Sequence, residues 1–194
     1  VSAKTSLKFR KAHRYLGLFL GIQFLFWTIS GLYFSWTNLD EIHGDQFKKN
    51  KVQKEYKNLI SPSDIDYKDG IKTISLRDFN NVPYYWINSE LLVNALNGSV
   101  KDSITKQEAI SISNENILDK YKISLVEKIY QVGNHHEYRG RPLPAFVISY
   151  EGTENLKSYV SALDGQFQTV RHRDWRWFDF LWMTHTMDYE TRDD

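Results

Sequence analysis

The chain has 194 residues, of which 41% are hydrophobic and 25% charged, and its formal net charge is +1. This composition excludes a disordered tail and a protein made mainly of membrane spans, and the near-neutral charge argues against a nucleic-acid partner. Because there is no cysteine, disulfides, thiolate metal sites and thiol nucleophiles are excluded. No Walker, G-x-S-x-G, H-E-x-x-H or G-x-G-x-x-G motif occurs. The sequence therefore predicts no self-contained catalytic centre, and it leaves open whether the chain is a redox subunit.

The N-terminal region predicts a membrane anchor. Residues 1–14 form a basic arm with five Lys and Arg and no acid, and residues 15–36 then carry no formal charge. As a helix, the uncharged stretch is about 33 Å long, which matches a hydrocarbon core of about 30 Å. The alternatives are a cleaved signal peptide and a buried core helix. The length of the stretch and its aromatic ends favour a transmembrane helix.

The charges flanking the span predict its orientation. Five basic residues precede it and three follow within 15 residues, which favours a cytoplasmic N-terminus. The soluble part is then periplasmic, on the outer side of a bacterial inner membrane. A lysine-rich stretch within the predicted linker, residues 37–60, opposes this orientation.

One face of the predicted span carries small residues: Gly17, Gly21, Thr28 and Gly31. Small side chains let a second helix approach closely in a membrane. We expect this stripe to contact other transmembrane helices, supplied by a partner subunit, a second copy or a continuation of the chain.

The soluble part, residues 61–172, predicts an α+β domain of antiparallel strands with one packed helix. A capping box over residues 105–108 opens that helix, which is expected to run to about Tyr121. Two turn signals, Asn97-Gly98 and Asp164-Gly165, predict hairpins. The strands are expected at residues 71–76, 84–87, 91–96, 125–132, 145–150, 157–163 and 166–171.

A weak repeat links the two halves of the soluble part. VNALNG at residues 93–98 resembles VSALDG at residues 160–165, with a spacing of 67 residues. The match predicts duplication of a strand–hairpin unit.

The last segment, residues 173–194, predicts a Trp-rich amphipathic helix from Trp175 to about Met187, capped by Asp174. It is expected either at the membrane interface, in contact with lipid, or packed on the sheet. We further expect it to lead into a second span beyond residue 194.

The opening RKAHRYLGLFLG, the capping-box segment TKQEAISIS and the terminal LWMTHTMDY resemble the PepSY-associated transmembrane family of bacterial inner-membrane proteins. This resemblance implies a PepSY-like domain in an inner-membrane assembly. It also implies a link to ferric-siderophore reductases, some of which hold haem, and thus a role in electron transport for iron uptake. The alternative is a non-catalytic binding or structural subunit, since PepSY domains are also linked to peptidase regulation.

Three histidines are candidates for holding a haem: His13 at the inner end of the span, His43 just beyond its outer end, and His185 in the last helix. The span length keeps His13 from sharing a haem with either of the others. His43 and His185 are expected to be able to meet at the outer surface. No separate metal site is predicted, and the adjacent His135 and His136 are expected to be solvated.

Overall fold

The computed structural model of the chain describes residues 3–50, 54–68 and 70–188. The helices are α1 (Ala3–Trp36), α2 (Leu39–Ile42), α3 (Lys106–Asn116) and α4 (Arg173–Thr186), with short 3-10 helices at Asp45–Phe47 and Pro62–Asp64. The strands are β1 (Ile74–Phe79), β2 (Val82–Ile87), β3 (Leu91–Asn94), β4 (Val100–Lys101), β5 (Ile123–Ile129), β6 (Ala145–Tyr150), β7 (Lys157–Ser161) and β8 (Phe167–Arg171).

Helix α1 joins the basic arm and the apolar stretch into one continuous helix of 34 residues. Its most apolar part has a mean hydropathy of 1.6, and only 6% of that part is buried. Within the described residues it is the one helix long and apolar enough to cross a membrane. A core helix would be mostly buried, so this exposure argues against that alternative.

The predicted α+β class is confirmed, with two four-stranded antiparallel sheets in place of one. Their strand orders are β1-β2-β3-β4 and β5-β6-β7-β8. Helix α3 contacts strands of both sheets. Its buried residues Ala109 and Ile112 share one hydrophobic core with Leu92 of the first sheet and with Ile148 and Val160 of the second. The two sheets therefore form one packed body.

The two copies of the repeat share an equivalent backbone hydrogen bond. The buried residues Ala95 and Ala162 each donate from their amide to a proline carbonyl near the start of the neighbouring strand, at 2.9 Å in both cases. Both predicted hairpin turns form, and Gly98 and Gly165 adopt left-handed φ angles of 76° and 64°. Such angles strain any residue with a Cβ atom, which explains glycine at both positions.

The predicted end of helix α3 was wrong. The capping box of Thr105 and Glu108 forms as expected, but the helix ends at Asn116 rather than near Tyr121. Ile117 is extended and pairs with Lys48 in an isolated β-bridge. The segment predicted as a linker is therefore attached to the domain, although its residues 51–53 lie outside the described residues.

The predicted start of the last helix was also wrong. Helix α4 begins at Arg173 with His172 as its N-cap residue, two residues before the predicted cap Asp174. Most strands lie within two or three residues of their predicted limits, and β6 matches them. The end of the predicted segment, residues 189–194, lies outside the described residues, as do residues 1–2 of the basic arm.

Candidate functional site

Helix α4 packs antiparallel along the C-terminal half of α1. Near the start of the contact, the rings of Phe34 and Phe178 are 4.9 Å apart, and further along Trp27 stacks on His185 at 5.3 Å. As residue numbers rise in α4 they fall in α1, so the last helix runs back along the candidate span. The apolar surface of α4, including Trp182, is thus partly used against α1.

Two polar contacts lie inside this helix pair. Gln23 donates from Nε2 to the Thr184 carbonyl at 2.9 Å, and Ser30 Oγ lies 2.8 Å from His185 Nδ1. Ser30 is fully buried, and its hydroxyl oxygen also lies 2.7 Å from the Phe26 carbonyl oxygen and 3.1 Å from the Trp27 carbonyl oxygen. Since a hydroxyl has only one hydrogen, the direction of the Ser30–His185 hydrogen bond depends on the tautomer of His185.

The three candidate haem ligands are not brought together. His185 follows His172 by thirteen residues of helix, so it lies about 20 Å from the helix start beside α2, where His43 is located. His13 is exposed on α1 and lies about 21 Å along the axis from Trp27, which stacks on His185. No two of these histidines can sandwich one haem, so any haem held by His13, His43 or His185 needs a second ligand from elsewhere.

The small-residue stripe is mostly uncovered. At Gly31 an added Cβ would meet His185 Cε1 at 3.6 Å, whereas at Gly17 and Gly21 it would meet no atom within 4 Å. Thr28 follows Trp27 by one residue, about 100° around the helix from the face that α4 covers. The stripe and the α4 contact are therefore neighbouring faces that meet at Gly31.

A partly buried carboxylate, Glu137, connects the long loop between β5 and β6 to the start of α4. It accepts hydrogen bonds from Arg176 Nε at 2.6 Å, Arg176 Nη2 at 3.1 Å and the Tyr159 hydroxyl at 2.6 Å. Arg139 forms a second ion pair with α4, to Asp179 at 2.7 Å. Domain and helix pair are thus joined by charged hydrogen bonds, which are stronger than neutral ones.

These contacts set the charge of the groups involved. Burial raises the pKa of Glu137, but hydrogen bonds from Arg176 and Tyr159 outweigh it and leave the pKa below the usual value. Burial raises the pKa of Tyr138 to about 12. In the same loop, burial lowers the pKa of His136, whose Nδ1 accepts from the Tyr138 amide at 3.0 Å. His136 is therefore half-buried and hydrogen-bonded within its loop, whereas the adjacent His135 is exposed.

A basic cleft of about 360 Å³ opens beside α2, where the chain leaves α1. Four of its nine lining residues are cationic and none is acidic; the lining residues are His43, Lys48, Lys49, Asn116, Arg141, Phe167, Gln168, Thr169 and Arg171. Its side chains supply many hydrogen-bond donors, which is the chemistry of an anion site.

Within the cleft, Arg141 and Arg171 differ in how they are held. Arg171 is buried, donates to the Thr169 hydroxyl at 2.7 Å and lies 3.8 Å over the Trp175 ring. Arg141 donates from Nη1 to the Gln168 carbonyl at 3.4 Å, while its buried Nε has no partner among the described residues. A buried N–H without an acceptor costs free energy. An acceptor atom on a bound ligand would remove this cost at Arg141.

The cleft lysines are paired at the rim. Lys48 contacts Asp45 at 2.7 Å and Lys49 contacts Asp119 at 2.6 Å. Both aspartates are largely exposed, so these pairs hold the lysines only weakly. Of the cleft residues, sequence reasoning singled out only His43. The others come from distant parts of the chain, and the two arginines were missed because nothing local to them marks a site.

No protein-family model, curated protein or solved structure matches this chain.

Proposed function

We propose that this protein is a membrane-anchored subunit whose extracytoplasmic domain binds a small anion in the basic cleft at its membrane-facing base. The observation that carries the proposal is the lining of that cleft: four cations, no carboxylate, and the unpartnered Nε of Arg141. Carboxylate or phosphate groups suit this lining, because the planar guanidinium of arginine matches their oxygen atoms.

Helix α1 supports the anchoring. It is long and apolar enough to span a membrane and exposes nearly all of its apolar part. Its contacts with α4 also support that it remains part of the folded protein. Cleavage of α1 as a signal peptide would remove the side chains of Phe34, Trp27 and Ser30, which pack against α4. The five-to-three excess of basic residues favours a cytoplasmic N-terminus and a periplasmic domain.

The exposed faces of the helix pair support a place in a larger assembly. Helix α4 covers one face of α1, and the stripe at Gly17 and Gly21 stays open to a further helix. Replacing Gly21 with Leu should then weaken association with partner helices, whereas replacing the neighbouring Leu20 with Ile should not. Equal co-purification of both variants with the partner would contradict a packing role.

The resemblance to PepSY-associated transmembrane proteins extends this proposal to electron transfer in iron uptake. An anionic ferric chelate would be one suitable cleft ligand, and haem is the cofactor that would supply electrons. His185 would be a suitable haem ligand in the tautomer whose Nδ1 donates to Ser30, because its Nε2 would then be free to bind the iron. His13 and His43 would likewise each contribute one ligand, with the second ligand coming from a partner helix.

The anion proposal is tested by titrating the full-length protein, in nanodiscs of zwitterionic lipid, with citrate and with inorganic phosphate in a calorimeter. We expect saturable binding that weakens at least about tenfold in Arg141→Gln, since a charged hydrogen bond contributes about 1.5–3 kcal/mol. The matched control is Lys72→Gln, which removes an exposed cation outside the cleft.

Equal binding by Arg141→Gln and by the control would refute the cleft as the site. Binding only to vesicles of anionic lipid, with none to the two soluble anions, would contradict the small-anion proposal and assign the cleft to lipid headgroups. Membrane orientation is checked separately with reporter fusions after residue 60. Activity of a cytoplasm-only reporter at that position would overturn the periplasmic assignment.

A further inference from the structure

Three potential metal ligands meet where the hairpin between β6 and β7 passes the start of α4. Glu154, His172 and Asp174 each offer one ligand atom, and these atoms all lie within 4.8 Å of one another. The Arg173 amide donates to the Glu154 carbonyl at 2.8 Å, which holds the hairpin loop against the helix start. The backbone therefore keeps the three side chains together.

The imidazole of His172 is oriented as in a metal site. Its residue is 1% exposed, and Nε2 lies 3.1 Å from the Ile42 carbonyl oxygen. A carbonyl can only accept, so Nε2 carries a hydrogen, and in the neutral ring the free lone pair is on Nδ1. That buried Nδ1 has no partner among the described residues. Histidines that bind metals commonly donate their other ring N–H to a backbone carbonyl in this way.

The repeat shows that His172 does not serve helix capping. The N-cap residue of α3 is Thr105, which lies 67 residues before His172 and caps its helix in the ordinary way, with Glu108 completing the box. His172 holds the equivalent position in α4 but makes no side-chain cap hydrogen bond. Glu154 lies in a hairpin loop of six residues, where the equivalent loop between β2 and β3 has three. Two of the three ligands are thus special to the second repeat.

Arg173, which contacts the carboxylates of Glu154 and Asp174, is held weakly enough for a metal ion to replace it. Arg173 contacts Asp174 Oδ1 at 3.2 Å and Glu154 Oε2 at 3.8 Å, with about half of its side chain exposed. Such exposed ion pairs contribute little to stability, because water and salt screen them. A divalent cation would neutralise both carboxylates once the side chains close by about 1 Å, toward metal–ligand distances of about 2.0–2.2 Å.

We propose that Glu154, His172 and Asp174 bind a divalent transition-metal ion, with Zn²⁺ as its representative. One imidazole nitrogen with two carboxylates suits such ions, whereas Mg²⁺ and Ca²⁺ prefer oxygen ligands alone. Three protein ligands leave a fourth position for water. Because His172 also contacts α2 through Ile42, the ion would fasten α2, the β6–β7 hairpin and the start of α4 together.

The test is calorimetric titration of the chelator-treated, full-length protein with Zn²⁺, together with its thermal unfolding. We expect one Zn²⁺ per chain and a higher unfolding temperature with the metal. Asp174→Asn and Glu154→Gln should each weaken binding at least about tenfold. Mg²⁺ should not compete. The absorption spectrum of the protein loaded with Co²⁺ instead of Zn²⁺ reports which residues bind the metal, independently of any change in stability.

Two controls keep the result interpretable. Glu151→Gln removes an exposed carboxylate of the same hairpin loop outside the cluster, and it should leave Zn²⁺ affinity unchanged. His135→Ala with His136→Ala tests the other place where two histidines adjoin. Absence of 1:1 binding, unchanged affinity in Asp174→Asn and Glu154→Gln, or loss of binding in the His135/His136 variant alone would each overturn the proposal.

Discussion

Replacing Glu137 with Ala tests whether the carboxylate joins the domain to α4 as the structure indicates. The side chain is 13% exposed and accepts three hydrogen bonds, two from Arg176 and one from Tyr159. Alanine removes every acceptor at once. Among the described residues, this leaves the Tyr159 hydroxyl without its partner and the Arg176 guanidinium with one hydrogen bond, to the Asn155 carbonyl.

The expected loss of stability follows from this burial. Removing one partner of a buried ion pair costs about 3–5 kcal/mol. Arg176 keeps 31% of its side chain exposed, so water can solvate part of its charge. We therefore expect a value at the low end, about 3 kcal/mol, which corresponds to a fall in unfolding temperature of about 6–12 °C for a protein of this size.

The assay is thermal unfolding of the full-length protein in detergent, followed by tryptophan fluorescence and circular dichroism. Glu151→Ala is the matched control, because it removes an exposed glutamate close in sequence to the same network. A double-mutant cycle with Arg176→Ala isolates the pair. The reasoning is refuted if Glu137→Ala lowers the unfolding temperature no more than the control, or if the cycle gives no coupling.

Three further predictions concern the same domain. Gly165→Ala should cost about 1–3 kcal/mol more than Gly98→Ala, as measured by denaturant unfolding, because an added Cβ overlaps the buried Phe79 ring only at Gly165; equal losses would show that only backbone strain matters. Thr105→Ala should cost about 1 kcal/mol by loss of the α3 cap, measured in the same way. Because the pKa of Glu137 is below its unfolded value near 4.5, its contribution is complete above that pH and is lost as pH falls through the folded value. Glu137→Gln should therefore flatten the acid side of the stability profile, and an unchanged profile would count against the ion pair.

Local signals in the sequence were enough for the elements that depend on neighbouring residues. The uncharged run after the basic arm predicted the candidate span, because span length follows directly from helix rise. The capping box at Thr105 and the turns at Gly98 and Gly165 were also predicted correctly, since both depend on a few adjacent residues. The short VNALNG match identified a repeat that the hydrogen bonds confirm.

Tertiary structure decided how these elements combine. Two sheets rather than one, and the place of α4 against α1, depend on pairings between residues far apart in the chain, which periodicity does not encode. The helix end at Asn116 was missed because the bridge from Ile117 to Lys48 overrides the apolar periodicity. The basic cleft joins positions from His43 to Arg171, and the metal cluster joins a hairpin loop to a helix start. Neither site has a local motif, because side chains that meet only after folding leave no fixed spacing in the sequence.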